Sequence, residues 1–325
     1  MVIQNFDSNV RQAKTLVEDV KNCEVKDQTG LNDFQKLPTT DSISIPRVGI
    51  NRFRLPIKIT SRSGETTQHD AHANMYVALE GGKNGVSMSR LVSILQHECE
   101  IKSLNQDFFK HIISRYLTEL TDEQDKNQIE TAYCKLSFNY GVKQQSLKSE
   151  NWGWQYYPVS LTGKISKEKG FEFFMKIEYE YSSTCPCSLS MAKQYEMEYR
   201  NGDTDAGSGI AAAHSQRSSC KATIQIKENQ DFFIEDLITL LRASIPTETQ
   251  SLVKRVDEQA FAILNGSYPI FVEHASKEVF KTFNSQDYIL DWIASFEHYE
   301  SLHSHNAAAV IFKGIEGGLS YDSIF

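Results

Sequence analysis

Ser182-Ser183-Thr184-Cys185-Pro186-Cys187-Ser188 sets two thiols either side of a proline, and Ala213-His214-Ser215-Gln216-Arg217-Ser218 follows after a polar, glycine-rich gap. Thiolate and imidazole are ligands that a divalent transition metal prefers, so the pair reads as half of a metal site. The other half is expected from Lys254-Arg255-Val256-Asp257-Glu258, Phe271-Val272-Glu273 and Glu300-Ser301-Leu302-His303-Ser304-His305. An extended chain sends Cys185 and Cys187 to opposite faces, so one of them is expected at the site unless Pro186 bends the chain. The last stretch is the most suggestive single piece. It puts an acid and two histidines just after an apolar strand, and alternation sends His303 and His305 to one face, where imidazoles ligate or shuttle protons.

Each piece alone also has a purely structural reading. Cys-x-Cys suits two thiols at a strand end, His214 a hydrogen-bonded histidine, Glu258 a solvated amphipathic helix and Glu273 a first-turn helix acid. His69, His72, His97, His111, His274 and His298 show no grouping, and no glycine-rich phosphate loop is present.

The elements that must hold these residues are legible as periodicity. Residues 1–40 are polar and read as an N-terminal extension with room for one helix. Residues 45–50 lead into residues 53–60, which read as a strand with Pro56 at an edge or bulge, followed by a hairpin turn at Ser61-Arg62-Ser63-Gly64 and a second strand over 69–79. Met88, Leu91, Val92 and Leu95 fall at helical spacing. So do Phe108, Phe109, Ile112, Ile113, Tyr116 and Leu117 in a second helical run over 106–120. Residues 129–140 and 152–161 return to strands. The second half repeats the order: strands at 171–181 and 217–226, helices at 233–241, 251–264 and after Pro269, and strands at 289–299 and 307–312. Strand-strand-helix-helix-strand-strand twice over predicts a tandem α+β duplication with antiparallel sheets and helices on one face. The expected division is an extension at 1–40, a first module at 41–165 and a second at 166–325 that carries most site residues.

Composition narrows the class. With 325 residues and 40% of them hydrophobic, the chain can bury a sizeable core. Its net charge of −8 and pI near 5.6 argue against broad nucleic-acid or membrane-surface binding, so an anionic substrate needs a local basic pocket. No window approaches the ~20 apolar residues of a membrane span. The first residues have neither a basic nor an apolar signal region, which points to the cytoplasm. Six irregularly spaced cysteines suggest reduced thiols rather than a disulfide scaffold.

Taken together, Cys-Pro-Cys-Ser, Ala-His-x-Gln-Arg-Ser, Lys-Arg-x-Asp-Glu, Phe-Val-Glu and Glu-Ser-x-His-x-His closely resemble the type IB GTP cyclohydrolases. Val48-Gly49-Ile50, Leu55-Pro56-Ile57, Met75-Tyr76-Val77, Met88-Ser89-Arg90 and Phe233-Ile234-Glu235-Asp236-Leu237 extend the resemblance from about residue 40 to the C-terminus. One departure stands out: Ser87 lies where the family usually has histidine in Gly-Thr-His-Met-Ser-Arg.

The resemblance implies tandem tunnelling-fold modules, a homotetramer with sites between subunits, and conversion of GTP and water to 7,8-dihydroneopterin triphosphate and formate, the first step of folate biosynthesis. It implies metal ligands at Cys185, His214 and Glu258, for zinc or manganese with iron as a further candidate, and Glu273 as the guanine anchor. Glu300, His303 and His305 would lie near the metal, with Cys185 counted among the catalytic residues. Water must add at C8, so metal-activated water and a histidine proton donor suit the chemistry. Arg217, Lys254 and Arg255 are the candidates for the triphosphate, with Arg90 a further one. Two rivals are a related nitrile reductase with a catalytic cysteine and a closed structural-zinc module; the distal Glu-x-x-His and the Lys-Arg-x-Asp-Glu run favour the cyclohydrolase.

Overall fold

The computed structural model describes residues 18, 21–27, 29–33, 35, 42–82, 85–120 and 130–323. The helix expected within 1–40 falls largely outside them. From residue 45 the first half runs β1 (Ile45–Thr60), β2 (Thr66–Leu79), α1 (Met88–Ile101), α2 (Gln106–Glu119), β3 (Ala132–Gln145) and β4 (Trp152–Ser166). The second half runs β5 (Gly170–Thr184), α3 (Pro186–Asn201), β6 (Ser215–Ile226), α4 (Ile234–Ser244), α5 (Arg255–Ser267), α6 (Val272–Asn284), β7 (Ile289–His298) and β8 (Ala307–Phe312). The expected α+β order is therefore present twice, with α3 and α5 added in the second copy.

All eight strands join one antiparallel sheet in sequential order, with β1 and β8 at its edges. Pro56, which lacks an N–H to give to a ladder, sits in edge strand β1 opposite Asp70. Gly64 at φ +86° makes the β1–β2 turn.

Strand alternation sorts the side chains. Leu55, Ile57 and Ile59 of β1, Ala73, Met75 and Val77 of β2, and Met175, Ile177 and Tyr179 of β5 all turn inward. Against them lie Leu91 and Leu95 of α1, Phe109 and Ile113 of α2, Leu237 and Leu241 of α4, and Val279 and Phe283 of α6, forming one hydrophobic cluster through both halves. Gly163 of β4 is needed for this layer: a Cβ there would come within 2.7 Å of Phe109 Cβ, so α2 could not lie so close. The other sheet face carries polar groups such as Ser137, Ser160, Lys176 and Lys221. Among the described residues no helix is long and apolar enough to cross a membrane.

The stretch after Cys187 departs from expectation. In place of a polar gap, α3 occupies 16 residues and ends at Gly202, in the left-handed region at φ +79°. Of its side chains Ala192 alone is buried, so the helix has no apolar stripe that periodicity could reveal.

Candidate active site

Cys185 is the hinge between β5 and α3. It holds extended backbone at φ −67° and ψ 120°, and Pro186 takes the first helical position, where a missing N–H costs nothing. Pro186 thus turns the chain: Cys185 stays half-buried at the strand end while Cys187 rides the exposed first turn of α3. Cys185 N–H donates to the His214 carbonyl at 3.2 Å, and His214 N–H donates to Ser188 Oγ at 3.1 Å. The backbone therefore brings the thiol and imidazole segments together.

His214 Nδ1 lies 3.0 Å from Gln216 Oε1 and 3.6 Å from Glu300 Oε2. Its Nε2 meets no hydrogen-bond partner among the described residues. Glu300 arrives just past β7, where Tyr299 N–H donates to the Arg217 carbonyl. The start of α6 reaches the same corner, since Ile270 N–H donates to the Thr184 carbonyl at 2.9 Å, next to Cys185. That bond brings Glu273, exposed in the first turn of α6, to the edge of the cluster. Buried behind it, His298 Nε2 lies 3.0 Å from the Tyr181 hydroxyl. Burial pushes the His298 imidazole down to about 4, against the opposing pull of the Glu273 carboxylate, so the ring is neutral at pH 7.

The side chains of the other expected residues make no hydrogen bond or ion pair to Cys185 or His214 among the described residues. Glu258, Lys254 and Arg255 are exposed at the start of α5. What fixes that helix start is Asp257, fully enclosed, which accepts from Lys148 N–H, Ser149 N–H, Ser149 Oγ and Lys254 N–H at 2.6–2.8 Å. Burial pushes its carboxyl up, but those hydrogen bonds outweigh it and hold the group below the usual range. His303 and His305 lie in the β7–β8 connection, exposed and stacked with ring centres 4.8 Å apart, so they do share one side. Arg217 is exposed on β6, 3.9 Å from Glu180. Arg90, on α1, gives its Nη1–H to the Glu119 carbonyl.

The family described as type I GTP cyclohydrolase folE2 matches residues 31–309. A GTP cyclohydrolase FolE2 of Cereibacter sphaeroides is 37% identical over 297 residues, covering 88% of this chain and 76% of its own. One of Roseobacter denitrificans is 35% identical over 83% of this chain and 69% of its own. The chain belongs to the type I GTP cyclohydrolase FolE2 family. A uricase from Arthrobacter globiformis aligns with a TM-score of 0.46 at 9% identity, over 84% of this chain and 95% of that one. A likeness at that level carries no argument.

A divalent metal in a FolE2-family chain can be tested against the donors present. Cys185 offers a half-buried thiol and His214 a bare Nε2 whose opposite nitrogen is already held, which is how ligating histidines are oriented. Those two positions fit a borderline metal. Among the described residues no three His, Cys, Asp or Glu side chains gather closely enough to hold an ion alone, so a third ligand has to be brought to the pair.

Sequence reasoning passed over Gln216, Ser188 and His298. Gln216 could have been found, because it shares a strand face with His214 by alternation. His298 continues the buried series Trp292, Ala294 and Phe296, which marks it as enclosed rather than solvated. Ser87, at the departure from the family pattern, precedes α1 and makes no side-chain cap.

Proposed function

We propose that this chain is a metal-dependent GTP cyclohydrolase that converts GTP and water to 7,8-dihydroneopterin triphosphate and formate at the head of folate biosynthesis in the cytoplasm. The observation that carries the reading is the match of a GTP cyclohydrolase family across residues 31–309, with Cys185, His214 and Glu300 assembled at one corner inside that span.

Cys185, His214 and Glu258 would hold the divalent ion, zinc or manganese. When bound, such an ion lowers the pKa of a coordinated water toward neutrality and so supplies hydroxide for attack at C8. The chain's own residues do the rest. Glu273 accepts two parallel hydrogen bonds from guanine N1–H and the 2-amino group, which selects guanine over adenine. His303, or His305 stacked on it, donates a proton to the nitrogen released when its bond to C8 breaks. Glu300 faces His214 and adds negative charge beside it. Arg217, Lys254 and Arg255 meet the triphosphate.

Among the described residues no third acid or histidine joins Cys185 and His214 closely enough to hold an ion, and Glu258, His303 and His305 are exposed, which supports a site completed by a second copy of the chain in a homotetramer. The reading is tested by incubating GTP with the chelated protein and again after Zn²⁺ or Mn²⁺ is restored, following formate and a fluorescent pterin. Turnover should vanish with chelation and return with metal. Full turnover by metal-free protein would contradict it.

A further inference from the structure

Gln216 lies two residues beyond His214 on β6, and both ends of its buried amide are occupied. Oε1 is 3.0 Å from His214 Nδ1, and Nε2 donates to Ser183 Oγ at 2.8 Å. Ser183 Oγ lies 2.8 Å from Ser218 Oγ, and neither serine has any solvent exposure. The result is a closed chain of hydrogen bonds, Ser218–Ser183–Gln216–His214, running from the inside of the sheet to the site.

An amide turned end for end would also satisfy Ser183, by accepting from its hydroxyl, and would then aim an N–H at Nδ1. Glu300 decides between the two arrangements. Its carboxylate, 3.6 Å from the same nitrogen, lies beyond hydrogen-bond reach, but its negative charge favours an N–H over a lone pair there, so Nδ1 carries the proton and Gln216, at 3.0 Å, presents the carbonyl that accepts it. With Nδ1 protonated, the lone pair of the neutral ring sits on Nε2, the nitrogen that meets no partner among the described residues.

We propose that Gln216 is the positioning residue of His214: it holds the ring in the Nδ1–H tautomer at a fixed angle and so presents Nε2 to the metal. The inference rests on the metal reading above. Gln216 touches neither substrate nor metal and acts only through the imidazole. A buried amide without partners is costly, so the serine pair behind it keeps the carbonyl aimed at the ring.

The experiment uses protein with ¹⁵N-labelled histidine, metal-free and at a pH where His214 is neutral, with its signals assigned by their loss in His214→Asn. Wild-type protein should show Nδ1 protonated and Nε2 bare; an Nε2–H tautomer there would overturn the proposal whatever the variants do. Gln216→Leu should move the ring toward Nε2–H and weaken Zn²⁺ binding, measured by chelator competition, by about 10- to 100-fold, the usual effect of removing such a support. Gln216→Glu keeps an acceptor facing Nδ1 and should restore both readouts, whereas a merely structural role predicts no tautomer change in either variant. An unchanged Nδ1–H tautomer in folded Gln216→Leu would overturn the proposal, since Glu300 alone would then set the proton. A tautomer that shifts in Gln216→Leu, together with wild-type protein that takes up no Zn²⁺, would instead overturn the metal reading.

Discussion

Cys185 and Cys187 are one residue apart and differ in setting because Pro186 starts a helix between them. Cys185 ends a buried strand beside His214, and Cys187 faces solvent. Cys185→Ala is therefore expected to lose both bound metal and turnover, while Cys187→Ala keeps most of each; metal analysis and GTP turnover on the two variants check this. His298 makes a second residue-scale prediction. Its folded pKa of about 4 lies below the ordinary 6.5, so between those values the unfolded chain binds more protons, and stability must fall as pH drops through that window. The gap of roughly 2.5 units corresponds to about 3 kcal/mol at the acid limit. His298→Gln keeps an acceptor for Tyr181 and removes this titration, so its melting temperature should change less between pH 7 and 4.5 than that of the wild type. Equal slopes would contradict the assignment. Residue types announced Cys185 and His214, but not the company His214 keeps, because hydrogen bonds across strands carry no signature along the chain.

At the scale of elements, the segment between α4 and α5 decides where Lys254, Arg255 and Glu258 sit. Residues 247–249 run along β5 where it extends past its pairing with β4: Ser182 N–H donates to the Thr247 carbonyl at 2.8 Å and Thr249 N–H to the Glu180 carbonyl at 3.2 Å. Glu248 locks that segment from inside, accepting from Gln144 Nε2 and Arg242 Nε, each at 2.7 Å, and from the Tyr157 hydroxyl. Removing Glu248 strands the buried Tyr157 hydroxyl and Gln144 amide and leaves the half-buried Arg242 unpaired, so Glu248→Ala should cost about 1–3 kcal/mol in chemical denaturation. A loss below about 1 kcal/mol would show that the backbone bonds suffice to hold the segment. The paired strands and the core helices were legible because each buries one face at its own period. The helix α3 was not, since a helix that packs little leaves no periodic trace. The clamp around Glu248 was equally silent, being assembled from β3, β4 and α4.

The whole molecule leaves surfaces that fit assembly. Both sheet edges, β1 and β8, lack a further strand among the described residues, and Trp152, Trp154 and Tyr156 form an exposed aromatic stripe along β4. A site shared between copies requires an oligomer, so light scattering should give a mass near four times 37.0 kDa. An active monomer would contradict a shared site. Duplication and fold class could be read from the repeated order of strands and helices; assembly could not, because nothing along a single chain says what covers an edge. The central claim is hydrolysis at C8 of GTP, and it has a direct readout. GTP carrying ¹³C at C8 is incubated with the zinc- or manganese-loaded protein and followed by NMR. The label should leave the purine and appear in formate, in step with a fluorescent pterin. Label that stays in an intact guanine while phosphate is released would show a nucleotide phosphatase and contradict the account.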